Sequence, residues 1–404
     1  MTEQRIPEQL QEIISRGFGE PVYTGFVEPG SYQVAERSDL TDGPEVGVGY
    51  CFDGSFLPVR NGACYTLYGL MNALADTRRV DPNLINCFRG WDNPADYQNQ
   101  KFRTVFVHPE DYYGETGVVE QAFERRGLTA GQFYSSEGVL NLAPRLREIG
   151  MSILFDVQNT DYVLAERLGA PKEEIARARD AQVKALKLTD HTFCRSEIDR
   201  EHAINLGADP STVSVYKGGI DVRSFAFQAR DAMRKRLVFL GHMYYQPNEN
   251  ALEYLARDVL PQLDDEYELT VIGIAPQKIL DTYASARIKF KEGVDDLSGE
   301  LLKHDVALAP LLEGSGTRLK VLDYLASGLP VISTNLGIEG LDPEIRKYVT
   351  IQDSLGGFAG HIEDIIAHPE DYATRSMQGR NFVERTYDWP TCVQPFIDAY
   401  RRLG

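Results

Sequence analysis

The sequence has no hydrophobic run that approaches the roughly 18 to 20 apolar residues needed to cross a bilayer. Residues 1–10 also lack the basic and apolar regions that mark a secretory signal peptide. We therefore expect a cytoplasmic protein with no stable membrane insertion.

Cysteine is scarce in this chain. The cysteines are odd in number and scattered, with no C-x-x-C spacing among them: Cys51, Cys64, Cys87, Cys194 and Cys392. A disulfide framework or a zinc site would need paired or clustered cysteines. The pattern excludes both classes and predicts buried, reduced thiols.

Basic residues are outnumbered, with 42 Lys and Arg against 60 Asp and Glu and a net charge of −18. Surfaces that bind nucleic acid or anionic membranes depend on clustered Lys and Arg. We expect no nucleic-acid partner, and any affinity for phosphate must be local.

The remaining composition, 43% hydrophobic and 25% charged, is that of a globular protein. A length of 404 residues favours two domains, because single cores seldom grow beyond about 250 to 300 residues. Strand and helix patterns alternate, which predicts an α/β fold with parallel sheets covered on both faces. The predicted strands are 46–52, 84–88, 104–107, 151–157, 191–194 and 213–216, then 237–241, 268–273, 287–290, 305–309 and 330–333. The alternation of strands and helices restarts at Arg236, so we predict two Rossmann-like halves joined by a linker at 224–235.

Residues 309–341 are the most informative stretch. A strand end leads through a loop of small residues, 314–317, into a short apolar helix that ends at Gly328. A glycine-containing turn that opens a helix presents unpaired N–H groups and the positive end of the helix dipole. The loop therefore predicts a binding site for a phosphate.

Within that helix, Lys320 and Asp323 lie three residues apart and share a face. A lysine neutralises diphosphate oxygens, and a carboxylate accepts hydrogen bonds from a ribose diol. This single turn could hold both ends of a nucleoside diphosphate. The alternative is an exposed Lys–Asp pair beside an ordinary strand–loop–helix joint.

The segment from Gly314 to Thr334 resembles the donor-binding motif of GT-B glycosyltransferases of retaining family 4, the glycosyl transferases group 1 type. The resemblance extends over about residues 45–400 and implies two Rossmann-like domains whose parallel sheets face each other across a cleft. It implies transfer of a sugar from a nucleoside-diphosphate sugar with retention of configuration. The donor-binding residues it indicates are Gly241, Tyr244, Glu313, Gly314, Ser315, Gly316, Thr317, Arg318, Leu319, Lys320 and Asp323.

The motif departs from the family pattern at three places. Ser315 stands where many members have a glutamate, eight residues before the ribose carboxylate, and whether Glu313 replaces it stays open. The ribose carboxylate itself is the shorter Asp323. His242 and Met243 stand where many relatives have an arginine and a lysine, so Arg318 and Lys320 must supply most of the positive charge that meets the phosphates.

Other segments agree with the resemblance in chain order. Residues 237–255 are similar to the first strand and helix of the family's C-terminal domain, and 154–161 resemble an acceptor-side segment with Gln158 in the position of a histidine. The implied domains are an N-terminal acceptor-binding domain at 1–228 that includes a lead-in at 1–44, a donor-binding domain at 236–385, and a last helix at 386–404 that crosses back to the first domain.

The acceptor and catalytic residues are harder to nominate, because retaining members need no strong protein nucleophile. We predict acceptor binding by Asn61, Gly62, Ser136, Glu137, Asp156 and Gln158. The catalytic candidates are His108, Glu137 and Gln158. His108 and the loop glycines also fit purely structural roles.

The resemblance implies no cofactor and no metal, because helix N-terminal amides with Arg318 and Lys320 can stabilise a leaving diphosphate. The acidic pairs Asp264–Asp265 and Asp295–Asp296 are interpreted as solvated turns. The expected partners are a UDP- or GDP-type donor and a hydroxylated acceptor, a small molecule or glycan, with a homodimer left open. Two alternatives remain: a catalytically silent GT-B partner subunit, and a GT-B enzyme that forms a non-glycosidic bond or epimerises a nucleotide sugar.

Overall fold

The computed structural model describes residues 25–36, 46–54, 56–57, 62–98, 100–157, 160–228, 233–314 and 317–403. These residues form two compact units. One contains the described residues up to Lys217 together with 392–403, and the other contains the described residues from Gly218 to Thr391.

The first unit is built on an eight-stranded sheet in the order β1-β4-β3-β2-β5-β6-β7-β8. Only β1 is antiparallel to its neighbour. The strands are β1 (Tyr32–Ala35), β2 (Val46–Asp53), β3 (Val80–Cys87), β4 (Arg103–Val107), β5 (Ala130–Phe133), β6 (Ser152–Val157), β7 (His191–Cys194) and β8 (Val213–Val215). The prediction from sequence missed β1 and β5 and began β3 four residues late.

Helices cover both faces of this sheet. They are α1 (Gly62–Asp76), α2 (Pro109–Tyr113), α3 (Val118–Arg125), α4 (Ser136–Glu148), α5 (Asp161–Arg167), α6 (Lys172–Lys187) and α7 (Glu197–Asn205). Two of them begin at serine caps: Ser135 accepts from the N–H of Gly138 at 3.0 Å, and Ser196 accepts from the N–H of Asp199 at 3.1 Å. Such caps satisfy N–H groups that the helix leaves unpaired.

The second unit is built on a six-stranded sheet in the order β11-β10-β9-β12-β13-β14, in which every pair is parallel. The strands are β9 (Arg236–Leu240), β10 (Glu268–Ile272), β11 (Ile288–Lys291), β12 (Val306–Ala309), β13 (Val331–Ser333) and β14 (Thr350–Ile351). The helices are α8 (Gln246–Tyr254), α9 (Gln277–Tyr283), α10 (Leu297–Leu301), α11 (Leu319–Ala326), α12 (Phe358–Ala367), α13 (Pro369–Tyr387) and α14 (Trp389–Cys392). The predicted α/β class with parallel sheets is confirmed.

The last helix, α15 (Gln394–Leu403), completes the core of the first unit. The Tyr400 hydroxyl is buried, donates to the side-chain oxygen of Gln132 at 2.6 Å and lies 2.9 Å from the Tyr50 hydroxyl. The rings of Phe396 and Phe193 lie 4.2 Å apart between centroids. Residues near the end of the chain therefore pack against the strands formed near its beginning.

The cysteines named above are buried thiols. Within the described ranges, no helix combines the length and the apolar character that crossing a membrane requires. Most of the predicted lead-in at 1–44 lies outside the described residues.

Candidate functional site

The strand order of the second sheet reverses between β9 and β12. At such a reversal the loops from the carboxyl ends of the two strands diverge and leave a crevice that binds ligands. The Tyr324 hydroxyl stands between the two strand ends. It accepts a hydrogen bond from the Leu240 N–H at 2.6 Å and donates to the Leu308 carbonyl at 3.3 Å. The predicted donor-binding loops, after β9 and after β12, both begin here.

The loop after β9 is shaped by two glycines. A Cβ on Gly241 would lie 2.9 Å from the Cγ of Asn248, and a Cβ on Gly273 would lie 2.0 Å from the Gly241 carbonyl oxygen. Gly273 also has a φ of +143°, which favours glycine. Because both lack side chains, the ends of β9 and β10 and the first turn of α8 approach closely, and Asn248 is brought to the crevice.

The loop after β12 turns at Gly314, whose φ is +105°. A Cβ there would lie 3.0 Å from the Tyr245 hydroxyl, 3.1 Å from the Pro247 Cγ and 3.1 Å from the Arg318 Nη2. Gly314 therefore lets the β12 loop contact the start of α8. Ser315 and Gly316, the next residues of the predicted loop, lie outside the described residues.

Helix α11 begins directly after this loop. Its N-cap residue is Arg318. The Arg318 side chain makes no capping bond, so it does not pair with the first-turn N–H groups of the helix. Arg318 is buried, and its Nε donates to the Leu336 carbonyl at 3.4 Å. Thr317 precedes it, and the buried Thr317 hydroxyl has no hydrogen-bond partner within the described part of the chain.

Lys320 occupies the first turn of α11. Its ammonium donates to the Oδ1 of Asn248 at 2.8 Å and lies 4.5 Å from the centroid of the Phe239 ring. Burial, and then the charge of Arg318, lower the pKa of Lys320 to about 7. An anion bound beside Lys320 would raise this pKa and so restore the positive charge of the lysine.

Asp323 lies one turn further along α11 and is 7% exposed. Its Oδ1 is buried and has no hydrogen-bond partner among the residues that the structure describes. Burial raises the pKa of Asp323 to about 8. A carboxyl group in this environment is short of hydrogen-bond donors.

The other predicted donor-binding residues border the same loops. Tyr244 follows β9, where its N–H donates to the Nδ1 of His242 at 3.3 Å. The Glu313 carboxylate accepts a hydrogen bond from the side-chain amide of Asn250. Leu319 is the first residue of α11. The structure therefore brings the described members of the predicted donor set together around one crevice.

The predicted acceptor residues lie in the first unit, where the strand order reverses between β2 and β5. Ser136 and Glu137 begin α4 directly after β5. Glu137 is exposed, whereas the Ser136 hydroxyl is buried and has no hydrogen-bond partner within the described ranges. Gly62 is the first residue of α1, and Asn61 and Gln158 lie outside the described residues.

Asp156 and His108 have internal partners. Asp156 is fully buried in β6, and both carboxylate oxygens accept from the Tyr216 hydroxyl, at 2.9 and 2.8 Å. His108 caps α2, with its Nδ1 accepting from the Glu110 N–H at 3.3 Å. Both residues therefore make structural contacts that the sequence did not specify.

One cluster at the first reversal was not predicted from the sequence. Asp53 ends β2, and its carboxylate accepts two hydrogen bonds from the Arg89 guanidinium, each at 2.8 Å, and one from the Tyr113 hydroxyl. The three residues are spread over 60 positions of the chain. The sequence signal that could have indicated this cluster is the charge of Asp53 and Arg89 and their places at strand ends.

No three His, Cys, Asp or Glu side chains group as metal ligands within the described part of the chain. That finding leaves the expected metal independence a prediction.

Part of the chain is similar in sequence to known proteins. Residues 234–368 match the model of the family described as glycosyl transferases group 1. An uncharacterised 44.6 kDa protein in the cps region of Klebsiella pneumoniae is 23% identical over 177 residues. That match covers 41% of this chain and 45% of the relative, so the chain matches less than half of that protein's length.

Solved structures match over most of the chain. Anabaena HepE in complex with UDP and glucose has a TM-score of 0.68 at 12% identity, covering 88% of this chain and all of that one. The sucrose-phosphate synthase of Thermosynechococcus elongatus has a TM-score of 0.72 at 14% identity, covering 89% and 99%. The protein has the GT-B fold. At these identities the likeness carries the fold alone, and it confirms the predicted fold class.

Proposed function

We propose that the protein is a glycosyltransferase that takes a sugar from a UDP- or GDP-type nucleotide sugar and joins it to a hydroxylated small molecule or glycan with retention of configuration. The observation that carries this proposal is the presence of Lys320 and Asp323 one turn apart on α11, at the reversal of the second sheet. The match of residues 234–368 to glycosyl transferases group 1, and structural similarity to a protein solved with UDP and glucose, support it.

The chemistry of the crevice suits a nucleoside diphosphate. Arg318 and Lys320 supply positive charge. The hydrogen-bond partner of Lys320 is a neutral amide, and a bound diphosphate would add a negative charge next to the lysine. The unpartnered Oδ1 of Asp323 would accept a hydrogen bond from a ribose hydroxyl. During transfer these cations would stabilise the charge that develops on the leaving diphosphate, so we propose that no metal or other cofactor is needed.

For the acceptor we propose the corresponding reversal of the first sheet. Ser136 and Glu137 stand at the start of α4, and Asp53, Arg89 and Tyr113 stand at the ends of β2 and β3 and in α2. Carboxylate, guanidinium and phenol groups hydrogen-bond to hydroxyls of a sugar-like molecule. These side chains therefore fit a hydroxylated acceptor.

A thermal-shift panel tests the donor half of the proposal without an acceptor. The purified protein is heated with UDP, GDP and their sugar conjugates. A nucleotide at 100 times its dissociation constant should add about 2.7 kcal/mol to the free energy of unfolding. Failure of every nucleotide to raise the melting temperature would remove the proposed donor site.

Turnover then separates an enzyme from a silent subunit. The nucleotide sugar that stabilises the protein is incubated with it in EDTA, with and without candidate acceptors, and released nucleoside diphosphate is measured. Release supports a metal-independent transferase, and the anomeric proton of the product reports retention or inversion. Binding without release, with every acceptor, would favour the partner-subunit alternative.

A further inference from the structure

Asn248 contacts Lys320 in one orientation only. The Lys320 ammonium can only donate, so the group it meets at 2.8 Å must be the Oδ1 of Asn248. The Nδ2 on the other side of the amide donates to the His242 carbonyl at 3.1 Å. Both halves of the amide are thereby used, and the oxygen is fixed towards the lysine.

The surroundings of Asn248 keep it in that place. Its side chain is 7% exposed, in the first turn of α8, and its own N–H donates to the Tyr245 carbonyl at 2.9 Å. The close approach described above requires a glycine at 241, since a Cβ there would collide with the Asn248 amide. The backbone of the β9 loop is thus built to accommodate this amide.

The hydrogen-bond partner of Lys320, the Asn248 amide, is neutral. Across the described residues, no carboxylate forms an ion pair with its ammonium, although acidic groups stand nearby in sequence. Glu313 instead accepts from Asn250, and Asp323 lies one turn along the same helix. Burial, and then the charge of nearby Arg318, disfavour the charged form of Lys320. An amide oxygen holds an ammonium in place without cancelling its charge, whereas a carboxylate would cancel it.

We propose that Asn248 is a positioning residue that holds the Lys320 ammonium in place, without neutralising it, to meet the diphosphate of the donor. This inference rests on the proposed function and extends it to a residue on another element, 72 positions away in the chain. Asn248 acts through Lys320, and the contact with the phosphate is made by the lysine.

The test compares Asn248→Asp with Gln246→Glu. Asn248→Asp is nearly isosteric and puts a carboxylate against Lys320. Gln246→Glu adds the same charge to the same helix at an exposed position. Asn248→Ser, which is too short to reach the lysine, provides a second variant if the aspartate does not fold. UDP is the binding probe, measured by calorimetry from pH 6.5 to 9.

Lys320 itself is followed separately, by competitive labelling with acetic anhydride and mass spectrometry of its peptide. In Asn248→Asp we expect the pH midpoint of Lys320 labelling to rise by at least one unit and UDP affinity at pH 7.5 to fall at least tenfold. The pH profile of UDP binding should change with it. Asn248→Ser should lose at least threefold in affinity, and Gln246→Glu should stay within twofold of the wild type.

The outcomes separate the two proposals. An unchanged labelling midpoint in Asn248→Asp overturns the positioning role, and so does a shifted midpoint with unchanged UDP affinity. A uniform loss of affinity at all pH values would assign Asn248 a merely structural role and also overturn it. If the wild type binds no nucleoside diphosphate at all, the proposed function fails and this inference fails with it, whatever the labelling shows.

Discussion

The Tyr324 hydroxyl lies 2.6 Å from the backbone nitrogen of Leu240, at the point where β9 and β12 separate. The same hydroxyl donates to the Leu308 carbonyl on β12, so one buried phenol pairs backbone groups of two neighbouring strands. A ladder cannot continue where strands diverge, and a side chain satisfies the groups that the divergence leaves unpaired.

Tyr324→Phe should therefore destabilise the second unit by about 1 to 3 kcal/mol, the usual result of leaving buried polar groups without partners. Urea unfolding followed by circular dichroism measures the change. Tyr348→Phe is the matched control, because that hydroxyl bonds to the partly exposed Glu344 carboxylate, and its loss should cost less than about 1 kcal/mol. Equal effects in the two variants would contradict the role given to Tyr324.

Asp323→Asn should make the protein more stable near pH 8 while weakening nucleotide binding. Burial raises the pKa of Asp323 to about 8, above its value in the unfolded chain, so the folded state holds a proton that the unfolded state loses from about pH 4 upward. Between those pH values the wild type should lose about 1.4 kcal/mol of stability per pH unit relative to Asp323→Asn.

Urea unfolding of both proteins at pH 5, 6.5 and 8 measures this difference. The opposing titration of Lys320 is common to both and cancels in the comparison. A difference that does not grow with pH would show that Asp323 is ionised in the folded protein.

Lys320→Ala should reduce affinity for UDP at least tenfold, because the variant lacks the lysine proposed to meet the diphosphate. Uridine, which has no phosphate, should bind the variant and the wild type alike. Calorimetric titration with the two ligands gives the comparison. Equal losses for both ligands would mean that the substitution disturbs the crevice rather than the charge.

Gly314→Ala should impair nucleotide binding, because a methyl group there meets Tyr245, Pro247 and Arg318 in a left-handed turn. Gly293→Ala is the control. Its φ is +60°, and no atom lies within 4 Å of an added Cβ, so it tests backbone strain without crowding. If both variants bind UDP as the wild type does, the β12 loop has no part in the donor site.

His108→Asn separates the two roles considered for this histidine. Asparagine is also a good helix cap, so the variant should keep the stability that His108→Ala loses, about 0.5 to 2 kcal/mol. Turnover is measured on the same proteins. Retained stability with lost turnover would support the catalytic candidate, and retained turnover would leave His108 a cap.

Much of the fold could be predicted because its strands are continuous apolar runs. β9 and β12 follow this pattern, and each of their predicted bounds lies within one residue of the observed one. β5 was missed because Ala130–Phe133 is four residues long and includes Gly131 and Gln132. Gly131 is buried beside Leu146 of α4, and Gln132 is buried beside Tyr400 of α15. Tertiary contact, rather than local preference, determines such a strand.

The candidate site also has residues that the sequence could predict and residues that it could not. Glycines and charges that are close in sequence, such as Gly314 in the β12 loop and Lys320 in the helix that follows it, could be predicted because their spacing alone brings them together. Asn248 and the pair of Asp53 with Arg89 could not, because their partners lie 72 and 36 positions away in the chain. A side chain that is defined by a distant partner has no local signature.

The contact between Tyr400 and Tyr50 spans 350 positions of the chain. A ribosome must therefore synthesise all of residues 218–391, which contain the described part of the second unit, before the first unit can close its core. Until then the strands that were made first expose the apolar face that α15 will cover, which leaves the nascent chain open to aggregation and to chaperones. A fragment that stops at Lys217 would remain in that state.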